Sequence, residues 1–199
     1  MTINDVEVAY NSLGASHACI FSNFQECSKF SIEQSDYYLV NNTTACINID
    51  KAKGYTNKSH AFSVDSLYIS KTNNAVYFIE FKNSSYFRSK AKITRKAFET
   101  IHIHNEICGF DDYSFCSNVL CCVLSVNKEK EKLVRSPLLT SAMMRASHYS
   151  IDSSYKENLE KRFANHIASK SNAATLPFLY SDFKIVFDDE FDLFVASII

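Results

Sequence analysis

Two neighbouring runs, Ala61-Phe-Ser-Val-Asp65-Ser-Leu-Tyr-Ile-Ser70 and Ala75-Val-Tyr-Phe-Ile-Glu80-Phe-Lys82, constrain this chain more than anything else in it. Both are rich in Val, Ile, Tyr and Phe, and Lys71-Thr-Asn-Asn74 between them carries the turn signal. Asn tolerates the positive φ that tight hairpin turns require. Strand alternation puts Ser63, Asp65, Leu67, Ile69, Val76, Phe78, Glu80 and Lys82 on one face. The other face carries Phe62, Val64, Tyr68, Tyr77, Ile79 and Phe81. Both faces are apolar, so both need cover, and the pair must sit at the centre of a sheet with layers on either side.

The charged residues of the shared face all lie at the end away from the turn. A two-residue turn sets Asp65 opposite Lys82 and diagonal to Glu80, whereas a four-residue loop sets Asp65 directly opposite Glu80. Facing Cβ atoms are about 4.5–5.5 Å apart, so either register joins Asp65, Glu80 and Lys82. A three-residue loop turns Glu80 to the other face and dissolves the group. Two carboxylates and an amine so placed can hold Mg²⁺ or Mn²⁺ and activate a water. The competing reading is an Asp65–Lys82 ion pair at a sheet edge with Glu80 in solvent.

Around this hairpin the pattern predicts a helix over 1–13 with Val6, Tyr10 and Leu13 on one side and Gly14 as its stop. A second helix is expected over 17–30, and strands over 37–40 and 45–49. A helix over 88–107 buries Ile93, Ala97, Ile101 and Cys108. An apolar strand is expected over 118–126, followed by Lys128-Glu-Lys-Glu-Lys132 as a solvated loop or helix start. Ser154-Tyr-Lys-Glu157 is a capping box that opens a helix with Leu159, Phe163 and Ile167 as its buried stripe. Residues 178–199 read as one or two terminal strands bent at Asp188-Asp-Glu190. The fold class is therefore α/β, a central mixed sheet of about four to six strands flanked by helices. With 199 residues, 46% hydrophobic and only three Gly and two Pro, residues 1–199 are expected to form one domain.

The order of an acid on one strand, a short turn, an apolar strand ending in Glu80-Phe81-Lys82, a basic helix and a buried strand resembles the PD-(D/E)XK nuclease superfamily. The residues that carry the resemblance are Val64-Asp65 and Glu80-Phe81-Lys82, within roughly residues 60 to 127, and Val64 stands where the family name has proline. It implies a restriction-endonuclease-like αβββαβ core with added terminal elements. It also implies Asp65 and Glu80 as metal ligands, the Phe81 carbonyl as a further ligand, and Lys82 as the residue assisting the attacking water. An upstream acidic ligand found in many members corresponds to Glu7, Glu26 or Glu33. The activity implied is metal-dependent endonuclease, with DNA ahead of RNA as substrate. The alternative is a non-catalytic nucleic-acid-binding or assembly subunit, and a third reading is an interaction protein using exposed Tyr and Phe. A homodimer or a partner protein is compatible with the first two.

Arg88, Lys92, Arg95 and Lys96 cluster on the 88–107 helix and form a candidate phosphate-gripping face. Lys156, Lys161 and Arg162 offer a second backbone contact. A second acid-x-Lys, Asp182-Phe183-Lys184, lacks a partner acid and reads as a solvated strand edge. His102 and His104 are two apart, so they diverge on a helix and His102 pairs more naturally with Glu106. Seven cysteines without a Cys-x-x-Cys pair read as buried free thiols. The formal charge of -1 does not by itself announce a nucleic-acid binder. No run approaches the ~20 apolar residues of a membrane span, and the first residues lack a basic leader, so no membrane partner and a cytoplasmic location are expected.

Overall fold

The computed structural model describes residues 2–32, 35–110, 120–135, 153–170 and 180–199. The architecture is α/β, with helices flanking a six-stranded mixed sheet. The strands of that sheet are β1 (Phe21–Asn23), β4 (Ala45–Asn48), β5 (Ser66–Ser70), β6 (Ala75–Lys82), β7 (Leu120–Val126) and β8 (Asp182–Phe187), in that spatial order. From β1 to β6 the pairs are antiparallel, and β6–β7–β8 are parallel. A separate hairpin joins β2 (Lys29–Ile32) to β3 (Ser35–Tyr38). The helices are α1 (Ile3–Ser16), α2 (Phe24–Cys27), α3 (Ile49–Ala52), α4 (Tyr86–Cys108), α5 (Lys128–Arg135), α6 (Ser153–Lys170) and α7 (Phe191–Ile198).

β6 is central and buried on both faces, as its composition demands. Val76 and Phe78 pack with Val6 and Tyr10 of α1 and with Ile93, Ala97 and Ile101 of α4. Tyr77, Ile79 and Phe81 pack on the other side with Phe24, Phe191, Phe194 and Val195. Each fully buried Phe or Ile contributes about 1.5–3 kcal/mol relative to exposure, so this strand is the keel of both cores. Leu159, Phe163 and Ile167 of α6 are buried together in the α1/α4 layer.

The hairpin takes the four-residue loop. Ser66 faces Ile79 and Ser70 faces Ala75, with Asn74 at φ 49 closing the turn. α4 ends at Gly109, whose φ of 68 suits the left-handed closure in which Phe110 N–H reaches Asn105 O at 2.8 Å.

Several segments depart from the sequence reading. α1 runs through Gly14 to Ser16, and the glycine serves close packing rather than a stop, since a Cβ there would lie 2.2 Å from Phe21 Cε2. The expected 17–30 helix breaks into a 3-10 turn, β1, α2 and β2. Phe21–Asn23 gain a ladder with Ala45–Ile47, and the Asn23 side chain accepts from Glu26 N–H to start α2. Tyr37 and Tyr38 belong to β3, which pairs with β2, while Leu39 and Val40 lie beyond its end. At the C-terminus one strand is followed by helix α7, because Phe191, Phe194, Val195 and Ile198 recur at helical spacing and are all buried. The bend at Asp188–Glu190 is a 3-10 turn. The start of the 118–126 strand and the stretch before Tyr180 fall outside the described residues. No helix among the described residues is long and apolar enough to cross a membrane.

Candidate active site

Asp65 sits one residue before β5, at the pairing position next in line to face Glu80. Its approach is fixed by side chains from two helices. Phe62 N–H donates to Glu99 Oε2 at 2.5 Å and Val64 N–H to Thr100 Oγ1 at 2.9 Å, both on α4. Ser63 Oγ–H donates to Asp50 on α3, and Ile49 N–H reaches Asp65 O at 3.3 Å. With the backbone thus held, Asp65 Oδ2 accepts the Phe81 N–H at 2.6 Å.

Glu80 is 1% exposed, on the sheet face covered by α4. Lys82, two residues on, lies against Glu80 Oε1 as an ion pair. The second cation comes from α4: Lys96 Nζ is 2.8 Å from Glu80 Oε2 and 3.1 Å from Asp65 Oδ1. Two carboxylates and two ammoniums thus balance in a largely dehydrated space. Burial, reinforced by the Asp65 charge, pushes the Glu80 carboxyl up to about 7, although Lys82 and Lys96 oppose the rise. Burial alone opposes the Lys96 charge, but Asp65 and Glu80 outweigh it and raise its pKa. Asp50 stands at the border, its side chain 51% exposed. Burial works to raise its pKa, and Lys53 at 2.7 Å, Ser63 and the Lys96 charge together bring it below the usual range.

The structure therefore brings Asp65, Glu80 and Lys82 together, and excludes the arrangement with Glu80 in solvent. The Phe81 ring belongs to the opposite core, while its backbone lies at the site through the bond to Asp65. Of the basic helix residues, Lys92 and Arg95 are exposed; Arg95 pairs with Glu99 at 2.5 Å and covers the Phe62 ring at 4.1 Å. Lys96 departs from the expected phosphate-gripping face, because two facing acids draw its ammonium inward and leave it 9% exposed. The Arg88 side chain is outside the described residues. Glu7 pairs with Lys71 at 2.7 Å, at the turn end of the hairpin and away from the acids. Glu26 is exposed on α2, and Glu33 is outside the described residues.

No group of three or more His, Cys, Asp or Glu residues able to hold a metal occurs among the described residues. What the site offers is two carboxylates already gathered around one positive charge, an oxygen-only donor set of the kind that suits a hard cation retaining several waters. His104 takes no part: it is fully buried beside the Tyr10 hydroxyl at 3.1 Å, and burial pushes its pKa down to about 3. Glu106 accepts from Asn57 N–H at 2.6 Å. Asp182 and Lys184 are a half-exposed pair 3.8 Å apart, and Lys156 pairs with Glu190 at 2.6 Å.

The sequence reading took Lys96 for a phosphate contact and missed its place between the acids, and it missed the burial of Glu131. Lys96 follows Ile93 by three residues, which places it beside the buried stripe and was the one signal of its role. Glu131, within a run that reads as solvated, is fully buried and accepts from Tyr86 N–H and the Tyr155 hydroxyl, each at 2.8 Å. It thereby anchors the first turn of α4 and so the helix that delivers Lys96. Comparison with protein-family models, curated proteins and solved structures finds no match to this chain.

Proposed function

We propose that the chain is a Mg²⁺- or Mn²⁺-dependent endonuclease that hydrolyses nucleic-acid phosphodiester bonds, with DNA ahead of RNA as substrate. The observation that carries this reading is the convergence of Asp65 and Glu80 from facing strand ends onto a single positive charge, with Lys82 alongside. With β1–β3 and α2 set between α1 and β4, and α3 between β4 and β5, the elements α1, β4, β5, β6, α4 and β7 fall in the αβββαβ order of the PD-(D/E)XK superfamily, which supports the reading.

Asp65 and Glu80 would hold the divalent ion, with the Phe81 carbonyl beside them on the strand edge whose N–H already meets Asp65. When bound, the ion supplies a more acidic water and positive charge at the scissile phosphate. Lys82, anchored on Glu80, orients the attacking water and neutralises charge that builds on the phosphate. Exposed Lys92 and Arg95 on α4 meet backbone phosphates, which position the substrate without reading its sequence.

A second reading keeps the fold without the chemistry, as a nucleic-acid-binding or assembly subunit in the cytoplasm, alone or as a homodimer. The observation favouring it is that the four charges already satisfy one another. Cleavage of DNA and RNA with Mg²⁺ or Mn²⁺ is measured for the wild type, Asp65→Ala and Lys82→Ala. Loss of cleavage in both variants is the expected result, and cleavage unchanged in both removes the assignment. Salt-sensitive binding with no cleavage and no calorimetric Mg²⁺ signal selects the second reading.

A further inference from the structure

We infer that Lys96 is an internal counter-ion that occupies the cation position between Asp65 and Glu80 and must leave when a divalent ion binds, so that the site is self-blocked until it is loaded. This deepens the metal-dependent reading above and rests on it.

The contacts make Lys96 different from Lys82. Of the two acids Lys82 pairs with Glu80, its near neighbour on β6, whereas the Lys96 ammonium arrives from another layer and touches one oxygen of each acid. Those oxygens, Asp65 Oδ1 and Glu80 Oε2, are the two turned toward each other's carboxylate through the ammonium. A small divalent ion binds oxygen at about 2.1 Å, so an ion shared by the same two oxygens overlaps the place Nζ now fills. Both charges are positive and the surroundings are nearly dry, which strengthens their repulsion. One must give way.

Lys96 is built to withdraw. Its charge sits at the end of a four-carbon stem, so the ammonium can leave while the backbone of α4 stays fixed. Asp50, half-exposed and within electrostatic reach of Lys96, is a third carboxylate toward which the ammonium can swing. The two acids, once Lys96 has gone, keep a cation between them, so neither is left as an uncompensated buried charge.

The test uses the full chain with Ca²⁺, which reports binding without turnover. Calorimetry establishes whether Ca²⁺ binds, and amine acylation followed by peptide mass spectrometry reads the reactivity of Lys96 against Lys92 at matched ionic strength. Lys96 labelling is expected to rise about fivefold or more on loading, with Lys92 unchanged, as a dehydrated ammonium becomes solvated. Lys96→Gln, verified as folded by circular dichroism, is expected to bind Ca²⁺ about tenfold or more tightly, since a like charge has been removed from the site. Lys96→Arg is expected to bind no more tightly than the wild type. If Ca²⁺ binds but Lys96 labelling does not change, the inference fails while the metal reading stands. If Ca²⁺ binds neither the wild type nor Lys96→Gln, both fail together. Should Lys96→Gln not fold, the labelling result on the wild type decides alone.

Discussion

Replacing Lys96 with methionine keeps a flexible apolar stem and deletes the ammonium that touches both acids. Glu80 is 1% exposed, and the Lys96 and Asp65 side chains are 11% and 19% exposed, so the loss falls on groups with little access to water. Breaking a buried ion pair by removing one partner costs roughly 3–5 kcal/mol, and the remaining Lys82 contact argues for the lower end, about 3 kcal/mol at pH 8. The cost must depend on pH. Glu80 titrates at about 7 in the folded protein against an ordinary value of 4.5, so it takes up a proton more readily folded than unfolded. Its contribution is fully present below 4.5 and is lost as pH rises through about 7, a swing of about 3 kcal/mol. At pH 5 Glu80 is already neutral in the wild type and stays so in the variant, where the folded value rises further, so the charge pair lost there is the one with Asp65 and the deficit shrinks to about 1 kcal/mol. Lys96 itself carries stability throughout this range, because its folded pKa is raised and its contribution is lost only above its ordinary 10.5. For a chain of 199 residues, about 3 kcal/mol lowers Tm by roughly 6–12 °C. Urea unfolding and thermal scans at pH 8 and pH 5 measure both quantities. A deficit that is equal at the two pH values refutes the reasoning, as does one below about 1 kcal/mol at pH 8.

Glu131→Ala leaves Tyr86 N–H and the Tyr155 hydroxyl without their buried acceptor and is expected to cost about 2–3 kcal/mol in urea unfolding; an unchanged midpoint would contradict the anchoring of α4. Gly109→Ala is expected to cost about 1 kcal/mol because of the positive φ at the end of α4, with Gly109→Asn milder, and equal losses for the two would count against a backbone origin. Among the described cysteines, Cys19 and Cys27 are expected to react first toward a maleimide at neutral pH, as mass spectrometry of tryptic peptides will report. Cys19 is exposed, and the hydrogen bond from Cys46 lowers the Cys27 thiol pKa, whereas burial pushes the Cys122 thiol up. Faster labelling of Cys122 than of Cys27 would overturn that order.

The central hairpin was legible because β6 alternates between two apolar sets, and such a strand has only one place in a layered fold. Its loop length was not, since Lys71-Thr-Asn-Asn74 suits several turns, and two- and four-residue loops leave the same side chains on the same face. Strand period placed the acids together for either even-length loop, and the ladder that sets Ser70 opposite Ala75 supplied the even length. Lys96 could not, because its partners lie 31 and 16 residues away in sequence and a lysine beside a helix stripe ordinarily faces water. Distance along the chain hid Glu131 in the same way. The C-terminal run around Phe191 was ambiguous for another reason: a short apolar stretch satisfies strand and helix alike until the partners of each side chain are known. The 17–30 segment shows tertiary pairing overriding local pattern, since Phe21–Asn23 form a strand only because β4 is there to receive them.

The bond from Phe81 N–H to Asp65 Oδ2 has a bearing on denticity. β6 extends past the last rung it shares with β5, and the Asp65 carboxylate supplies the acceptor for the amide that the shorter strand leaves over. One oxygen of Asp65 is therefore committed to the backbone, and Oδ1 is the oxygen it can lend. A cation held there in a monodentate fashion leaves the sheet intact. An ion that chelated Asp65 through both oxygens would first have to unzip the end of β6, so the strand edge favours one-oxygen coordination, which Mg²⁺ and Ca²⁺ can both accept.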